Sequence, residues 1–422
     1  MINIRIISSK SDAHRALIAA ALSDRKTKVT CRGTSKDIEA TKECLKALNP
    51  DFPDRLDGHL VFRCGESGST FRFLLPVAAA KGISAAFLPE GRLPERPLTP
   101  LYEEMEAHGV RMSPQGEVPF FLDGKLQSGT YRIPGNISSQ FISGLLFALP
   151  LLNGDSRIEI PGKLESSGYV RMTEKTISRF GVRVLTEPLD GDSKKGQVLK
   201  IPGGQVYEGP RDYPVEGDWS NGAFWLAAGI LGDEPVRLSG LPVDSAQGDR
   251  KILPILRAFG GDIAEERHVV PGCSKREELV LTAYPSRGKL HGTTVSCSEI
   301  PDLVPILSLV AQLSEGDTEF TDAGRLRLKE SDRIASTVSL LRSLGGNAEE
   351  EAEGLHVFGV KSLRGGICDG ANDHRIVMTA AVASLAAENE VVLHGSKACE
   401  KSYPDFFKEF DQASLMKNLR LE

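Results

Sequence analysis

One pattern of hydrophobic and polar positions recurs six times along the chain. A polar or charged opening leads into a run of small and aliphatic residues that is apolar nearly all round. Lys10-Ser11-Asp12-Ala13-His14-Arg15 leads into ALIAAAL, and Gly68-Ser69-Thr70-Phe71-Arg72 into FLLPVAAAKG. Ser138-Ser139-Gln140 leads into FISGLLFALPLLNG, and Asp218-Trp219-Ser220-Asn221 into GAFWLAAGILGD. Pro301-Asp302 leads into LVPILSLVAQLSEG, and Asn372-Asp373-His374-Arg375 into IVMTAAVASLAAENE. A helix without a polar face must be covered on all sides, so these runs predict helices at the centres of domains. Their openings lie 58 to 82 residues apart, too far for a solenoid and right for copies of a larger supersecondary unit.

A second, amphipathic helix type alternates with the first: LYEEMEAHGV, MTEKTISRFGV, ILPILRAFGG and TVSLLRSLGG, with Gly109, Gly181, Gly260 and Gly345 as C-terminal stops. Between them lie short β-like runs bounded by Gly and Pro: SRIEI, GVRVL, PVRLSG, ELVLTAY and VVLHG. The alternation predicts an α/β architecture. Three units precede Pro210-Arg211-Asp212-Tyr213-Pro214 and three follow it, which predicts two similar domains with a cleft between them. Asp190 to Gly196 reads as an exposed hairpin loop.

The helix openings are polar where more apolar residues would bury better. A helix N-terminus offers free N–H groups and a positive dipole end, and so receives anions. Capping accounts for Ser and Asp there. It does not account for Lys10, Arg15, Arg72 and Arg375, which the dipole disfavours unless a negative ligand balances them. The stretch Lys329-Glu330-Ser331-Asp332-Arg333, just before another helix, has the same character, with Ser331 or Asp332 as its cap. These cations stand in a chain of net charge −6, which argues against a general nucleic-acid or membrane surface and makes each cationic patch local.

Seven cysteines (31, 44, 64, 273, 297, 368 and 399) are scattered without a C-x-x-C pair and read as reduced thiols. The eight histidines show no ligand spacing, so no protein-bound metal is expected. No apolar run reaches the length of a membrane span. The motifs begin by Lys10, so a leader peptide is not expected, and the reduced cysteines suit the cytoplasm. A monomer is expected.

Nine motifs, in order over essentially the whole chain, resemble the 5-enolpyruvylshikimate-3-phosphate synthase family. They are Ser9-Lys10-Ser11 through Arg15, Glu66-Ser67-Gly68 through Arg72, Arg92 through Pro97, Gly135 through Phe141, and Glu216-Gly217-Asp218. The remainder are Ile300-Pro301-Asp302, Lys329 through Arg333, Asp373-His374-Arg375, and Lys401 through Asp405. The resemblance implies the enolpyruvyl transferase fold. Each of two domains holds three repeated βαβαββ-type units with buried parallel helices, and the active site lies in the interdomain cleft. Residues 9–216 would form the first domain, and 1–8 with 217–422 the second.

The resemblance further implies transfer of the carboxyvinyl group of phosphoenolpyruvate to the 5-hydroxyl of shikimate 3-phosphate, a reaction expected to need no metal or organic cofactor. Shikimate 3-phosphate would be held by Lys10, Ser11, Arg15, Ser138, Ser139, Gln140, Ser166, Tyr169, Asp302, Arg325 and Lys329. Phosphoenolpyruvate would be held by Lys10, Gly68, Arg96, Gln140, Arg333, Arg375 and Lys401. Asp302 would take the hydroxyl proton, with Glu330 and Lys10 as candidates for proton transfer at carbon. Glu330, between Lys329 and Arg333, should ionise easily, which suits a base better than an acid. Mutual repulsion of the cations favours an open state before the two anions arrive.

Four positions depart from the family pattern: Ile7-Ser8 for Pro-Gly, Glu66 for Asn, Ser69 for Thr, and Arg325 where some members have Asn. Two rival readings are disfavoured. One is a transferase acting on a UDP-amino sugar, disfavoured because Glu90 through Pro97 holds no cysteine. The other is a non-catalytic polyanion-binding relative, disfavoured because Lys10, Asp302 and Glu330 are all present.

Overall fold

The computed structural model describes residues 1–49, 51–269 and 277–422. Cys273 lies outside the described residues; the other six cysteines are free thiols. Twelve α-helices occur among the described residues. They are α1 (Lys10–Leu22), α2 (Lys36–Lys46), α3 (Gly68–Ala80), α4 (Leu101–Ala107), α5 (Ser139–Ala148) and α6 (Ser167–Arg179). Then follow α7 (Trp219–Leu231), α8 (Ile252–Ala258), α9 (Val304–Gln312), α10 (Arg333–Ser343), α11 (His374–Ala383) and α12 (Phe406–Gln412). No described helix is long and apolar enough to cross a membrane.

The chain divides into two compact units, one of Lys10–Arg32 with Lys36–Val215, the other of Met1–Ser9, Gly33–Ser35 and Glu216–Glu422. We call them the first and second unit.

In the first unit a five-stranded sheet runs Arg55–Leu56, His59–Gly65, Ala85–Pro89, Phe120–Gly124, Val110–Met112. A four-stranded sheet runs Leu185–Pro188, Gly196–Ile201, Ser156–Pro161, Thr130–Arg132, and Lys28–Thr30 pairs with Asp212–Pro214. Among the described residues the second unit likewise has three sheets. Ile2–Arg5 lies parallel to Val236–Pro242, which is followed by Glu277–Tyr284 and Asp262–Val269. Thr294–Ser296, Asp317–Thr321, Gly354–Phe358 and Asn347–Glu351 form the next, and Gly366–Asp369, Val391–His394 and Leu419–Leu421 the last.

The apolar helices are the cores. Every residue of α7, α9 and α11 is buried, as is every residue of α3 but Ser69. Each large side chain so buried contributes about 1.5–3 kcal/mol. α3 and α5 pack backbone to backbone at a defined place. Pro76 removes the N–H that would bond Arg72 O, and a Cβ on Gly144 would stand 2.5 Å from that same carbonyl. Only glycine at 144 allows the approach.

The amphipathic helices end as their sequences predict, with Gly109, Gly181, Gly260 and Gly345 all at φ between 81° and 93°. GVRVL differs from its β-like reading. Gly181 and Val182 bond back to Ser178 O and Ile177 O, closing α6, so the strand starts only at Leu185. Residues 190–196 do form the turn of a hairpin, between antiparallel Leu185–Pro188 and Gly196–Ile201. At Ile7-Ser8 the chain pairs with the segment at 216–218: Ser9 N donates to Glu216 O, and Asp218 N to Ile7 O.

Candidate active site

In the second unit the polar openings of α9, α10 and α11 converge on one guanidinium. α9 starts at Val304, with Pro305 in its first turn and Leu303 in the cap position. Asp302 stands just before that cap position. Asp332 caps α10 by accepting from Ala335 N, which decides between the two expected caps and makes Arg333 the first helical residue. Asp373 caps α11 through Arg375 N.

Arg333 reaches all three carboxylates around it. Nη1 donates to Asp302 Oδ1 at 2.6 Å, Nη2 to Glu330 Oε2 at 2.7 Å, and Nε to Asp373 Oδ2 at 2.8 Å. The Arg333 side chain is 1% exposed, whereas Asp302 and Glu330 are 19% and 20% exposed. The cation is thus a buried foundation, and two of its carboxylates open outward. This arrangement holds the Arg333 pKa well above its ordinary value: burial opposes the charge, and the carboxylates, Asp373 foremost, outweigh it.

Asp302 also faces Lys329 Nζ at 4.0 Å and Arg375 Nη2 at 3.8 Å. Burial pushes its carboxyl up and Glu330 adds to that, but Lys329, Arg333 and Arg375 together hold it well below the usual carboxylate range. Arg375 reaches Asn221 Oδ1 at 3.5 Å, with its guanidinium 5.8 Å from the Phe224 ring centre. Lys401, at the end of the short helical turn Ser396–Lys401, donates to Asn372 O at 2.7 Å. Ala371 and Asn372 both sit at positive φ, a strained pair that turns this carbonyl toward the lysine. Arg325 donates to Ser298 O at 2.9 Å.

In the first unit the openings of α1, α3, α5 and α6 carry the remaining expected residues except Arg96, which lies ahead of α4. Lys10 Nζ is bound to Asp37 Oδ2 at 2.8 Å. Arg15 contrasts with Arg333. It is buried, yet its donors go to Thr173 Oγ1, Ser11 O, Tyr169 O and Ser143 Oγ, and it meets no carboxylate among the described residues. Burial pulls its pKa down to about 10 against the pull of Tyr169, Asp12 and Tyr213, so it keeps its charge at neutral pH. A buried charge with no carboxylate bonded to it is costly, and an anionic ligand would offset that cost.

Gln140 joins two helix starts: its Oε1 accepts from Arg72 Nη1 at 2.8 Å and its Nε2 donates to Ser69 Oγ at 3.0 Å. Ser138 caps α5 and Ser139 is its buried first residue. The Arg96 and Arg72 guanidinium groups lie over Gly68, where a Cβ would stand 2.9 Å and 3.3 Å from their nearest nitrogens. Ser166 takes the cap position of α6 at φ 52°, and Tyr169 follows in its first turn, half-buried, 5.9 Å from the Arg15 guanidinium. Glu66 packs its carboxylate against Gly91.

Asp302, Glu330, Lys329, Arg333 and Arg375 thus form one cluster, and Gly68, Arg96 and Gln140 meet around Arg72. Sequence reading missed Asp37, Asn221, Asn372 and Asp249. Asp249 is buried, accepts from Ser220 Oγ through Oδ2, and has no hydrogen-bond partner at Oδ1. In the sequence it stands within Gly248-Asp249-Arg250-Lys251, which reads as a solvated helix start and gives no sign of burial. Arg327 falls outside the cluster, tied to Asp332, Glu350 and Glu351 O.

A family model described as EPSP synthase (3-phosphoshikimate 1-carboxyvinyltransferase) matches residues 2–410. The 3-phosphoshikimate 1-carboxyvinyltransferase of Clostridium kluyveri is 40% identical, over 96% of this chain and 93% of its own. The Clostridioides difficile protein of the same name is 37% identical, over 97% and 94%. Among solved structures, EPSP synthase from Acinetobacter baumannii aligns over 97% of this chain and 95% of its own, with a TM-score of 0.77 and 22% identity. The enolpyruvyl transferase NikO from Streptomyces tendae aligns over 98% and 95%, with a TM-score of 0.73 and 17% identity. Both structures share the fold described above.

Proposed function

The chain belongs to the EPSP synthase family, and on that premise we propose how its own residues carry out the family's reaction. The enzyme transfers the enolpyruvyl group of phosphoenolpyruvate to the 5-hydroxyl of shikimate 3-phosphate and releases phosphate, by addition and then elimination. A UDP-amino sugar as acceptor is not favoured, since the full-length relatives carry the 3-phosphoshikimate name.

In the addition step the 5-hydroxyl oxygen bonds to C2 of phosphoenolpyruvate, its proton passes to Asp302, and C3 gains a proton. In the elimination step the C2–O bond to phosphate breaks and C3 gives a proton back, restoring the double bond. Glu330 and Lys10 are the groups proposed to serve C3. Paired with Arg333, Glu330 is set up as an acceptor, which suits the elimination step.

The observation that carries this reading is the low-lying Asp302 carboxylate among Lys329, Arg333 and Arg375. Without substrate it is a weak base. Phosphate and carboxylate groups bound to those same cations cancel their pull, and the basicity of Asp302 rises when the hydroxyl proton must be taken. The substrates themselves thus arm the base.

Arg15, Ser11, Ser138, Ser139, Ser166 and Tyr169 are proposed to hold shikimate 3-phosphate, with Gln140, Lys329 and Arg325. Gly68, Arg96, Gln140, Arg333, Arg375 and Lys401 are proposed to hold phosphoenolpyruvate, with Lys10 serving both. The buried, carboxylate-free Arg15 supports the first assignment, and the two guanidinium groups over Gly68 support the second. The reading extends to the two units as the family's two domains and to a single chain acting in the cytoplasm. A steady-state assay of phosphate release with each substrate omitted in turn tests it: release must require both.

A further inference from the structure

Four buried side chains join α1 to the first turn of α3, and the direction of every bond between them can be deduced. His14 Nδ1 lies 2.6 Å from Thr41 Oγ1, and Thr41 Oγ1 lies 2.6 Å from Thr70 Oγ1. Thr70 Oγ1 donates to Ser67 Oγ at 2.7 Å. His14, Thr41, Thr70 and Ser67 are all 0% exposed, so bulk water does not reach them.

A threonine hydroxyl has one proton to give. Thr70 gives its own to Ser67, so the proton between Thr41 and Thr70 belongs to Thr41. Thr41 then has none left for the imidazole, and His14 Nδ1 must be the donor. The other ring nitrogen, Nε2, is buried with no hydrogen-bond partner. Buried acceptors are left unsatisfied more often than buried N–H groups, so a bare lone pair fits that position better than an N–H. Burial first, then the charges of Lys10 and Arg15, keeps the ring neutral. Its single proton is therefore on Nδ1.

We propose that His14 is a positioning residue for phosphoenolpyruvate: as the Nδ1–H tautomer it starts a one-way relay through Thr41 and Thr70 that fixes Ser67, the cap of α3. Ser67 Oγ accepts from Thr70 N at 3.3 Å as well as from the Thr70 hydroxyl, so the relay ends in the turn that carries Gly68 and Arg72. The helix bearing Lys10, Ser11 and Arg15 is thereby locked to the one over which Arg96 lies. The inference rests on the reading above that Gly68 and Arg96 hold phosphoenolpyruvate.

Two measurements test it. In the wild-type enzyme, nitrogen-15 NMR of the imidazoles, with the His14 signal assigned by its loss in His14→Asn, reads the tautomer directly. Nδ1–H is expected, and an Nε2–H tautomer overturns the relay. In steady-state kinetics, His14→Asn puts a carboxamide N–H near the place of Nδ1, while His14→Leu has no donor. His14→Leu should raise the KM for phosphoenolpyruvate about two- to tenfold, the worth of one hydrogen bond, with a smaller change in kcat and in the KM for shikimate 3-phosphate. His14→Asn should restore it. Equal values for the two variants overturn the proposal. If His14→Leu does not fold, Thr41→Val, which deletes the middle hydroxyl at nearly constant shape, replaces it. Arg96→Ala separates the two levels. If it leaves the KM for phosphoenolpyruvate unchanged, the underlying assignment fails; if it raises that KM while His14→Leu does not, the relay alone fails.

Discussion

Arg333 Nη1 lies 2.6 Å from Asp302 Oδ1, so the proposed base is held in an ion pair with a cation that is itself buried beneath it. The pair is asymmetric. Arg333 also has Glu330 and Asp373, while Asp302 depends on Arg333, Lys329 and Arg375 for its low pKa. A ligand that draws charge from these cations changes Asp302 far more than it changes Arg333. The cation is built to stay, and the carboxylate is built to respond.

Asp302→Ala should therefore cost turnover more than folding. Arg333 keeps two carboxylates in this variant, and the surroundings lose a residue that is already partly open. A positioned general base contributes about 10²–10⁴-fold, so kcat should fall by about a hundredfold or more. Near-normal turnover in a single-turnover assay would assign the base elsewhere.

Arg333→Ala should cost stability as well as phosphoenolpyruvate binding. It takes from Asp373, Asp302 and Glu330 the buried cation they share. Removing one partner of a buried pair typically costs about 3–5 kcal/mol. Arg333→Lys should recover little of this, because one ammonium cannot reproduce a fork that meets three carboxylates. Urea denaturation measures the loss, which should shrink at acid pH as the stranded carboxylates take up protons. A loss under about 1 kcal/mol, the range of an exposed pair, would mean that water already reaches the cluster.

Gly68→Ala should act through its neighbours. Its Cβ would stand 2.9 Å from Arg96 Nη1, at the end of a flexible side chain, so the arginine moves and the helix stays. The KM for phosphoenolpyruvate should rise while that for shikimate 3-phosphate changes little. Equal changes in the two constants would remove Gly68 and Arg96 from the phosphoenolpyruvate site.

The parts of this architecture that show in the sequence are those with a period or a cap. Helices apolar all round, such as α7 and α9, can only be core, and Gly109 or Gly345 can only be a stop. GVRVL misleads because Val182 is apolar for the sake of closing α6, a local demand that mimics a strand. Cations at helix openings point to anions, and Arg15, Arg333 and Arg375 could be singled out on that ground alone. Two carboxylates could not: Asp37, the counter-charge of Lys10, and Asp249, a like charge beside Asp302, arrive through tertiary packing, and nothing in a solvated-looking K-D or G-D-R-K stretch announces it.

Asp249 supplies a test in which the sign of the pH dependence is fixed. Its carboxyl is raised to about 7, by burial first and then by the charge of Asp302, against the opposing pull of Ser220 and Arg375 and with a further push from Asp218. An unfolded aspartate titrates near about 3.9, so over the window up to about 7 the folded chain binds a proton that the unfolded chain has released. The stabilisation this gives is complete below about pH 4 and is lost as pH rises through about 7, and burying the charged form then works against folding. Asp249→Asn keeps the shape and cannot ionise. Relative to wild type it should gain stability between about pH 5 and about pH 8, by an amount on the order of a few kcal/mol at most. Thermal denaturation of both proteins at the two pH values gives the answer. A constant offset between them would show that Asp249 carries the same charge at both, and that Ser220 and Arg375 suffice to keep it ionised.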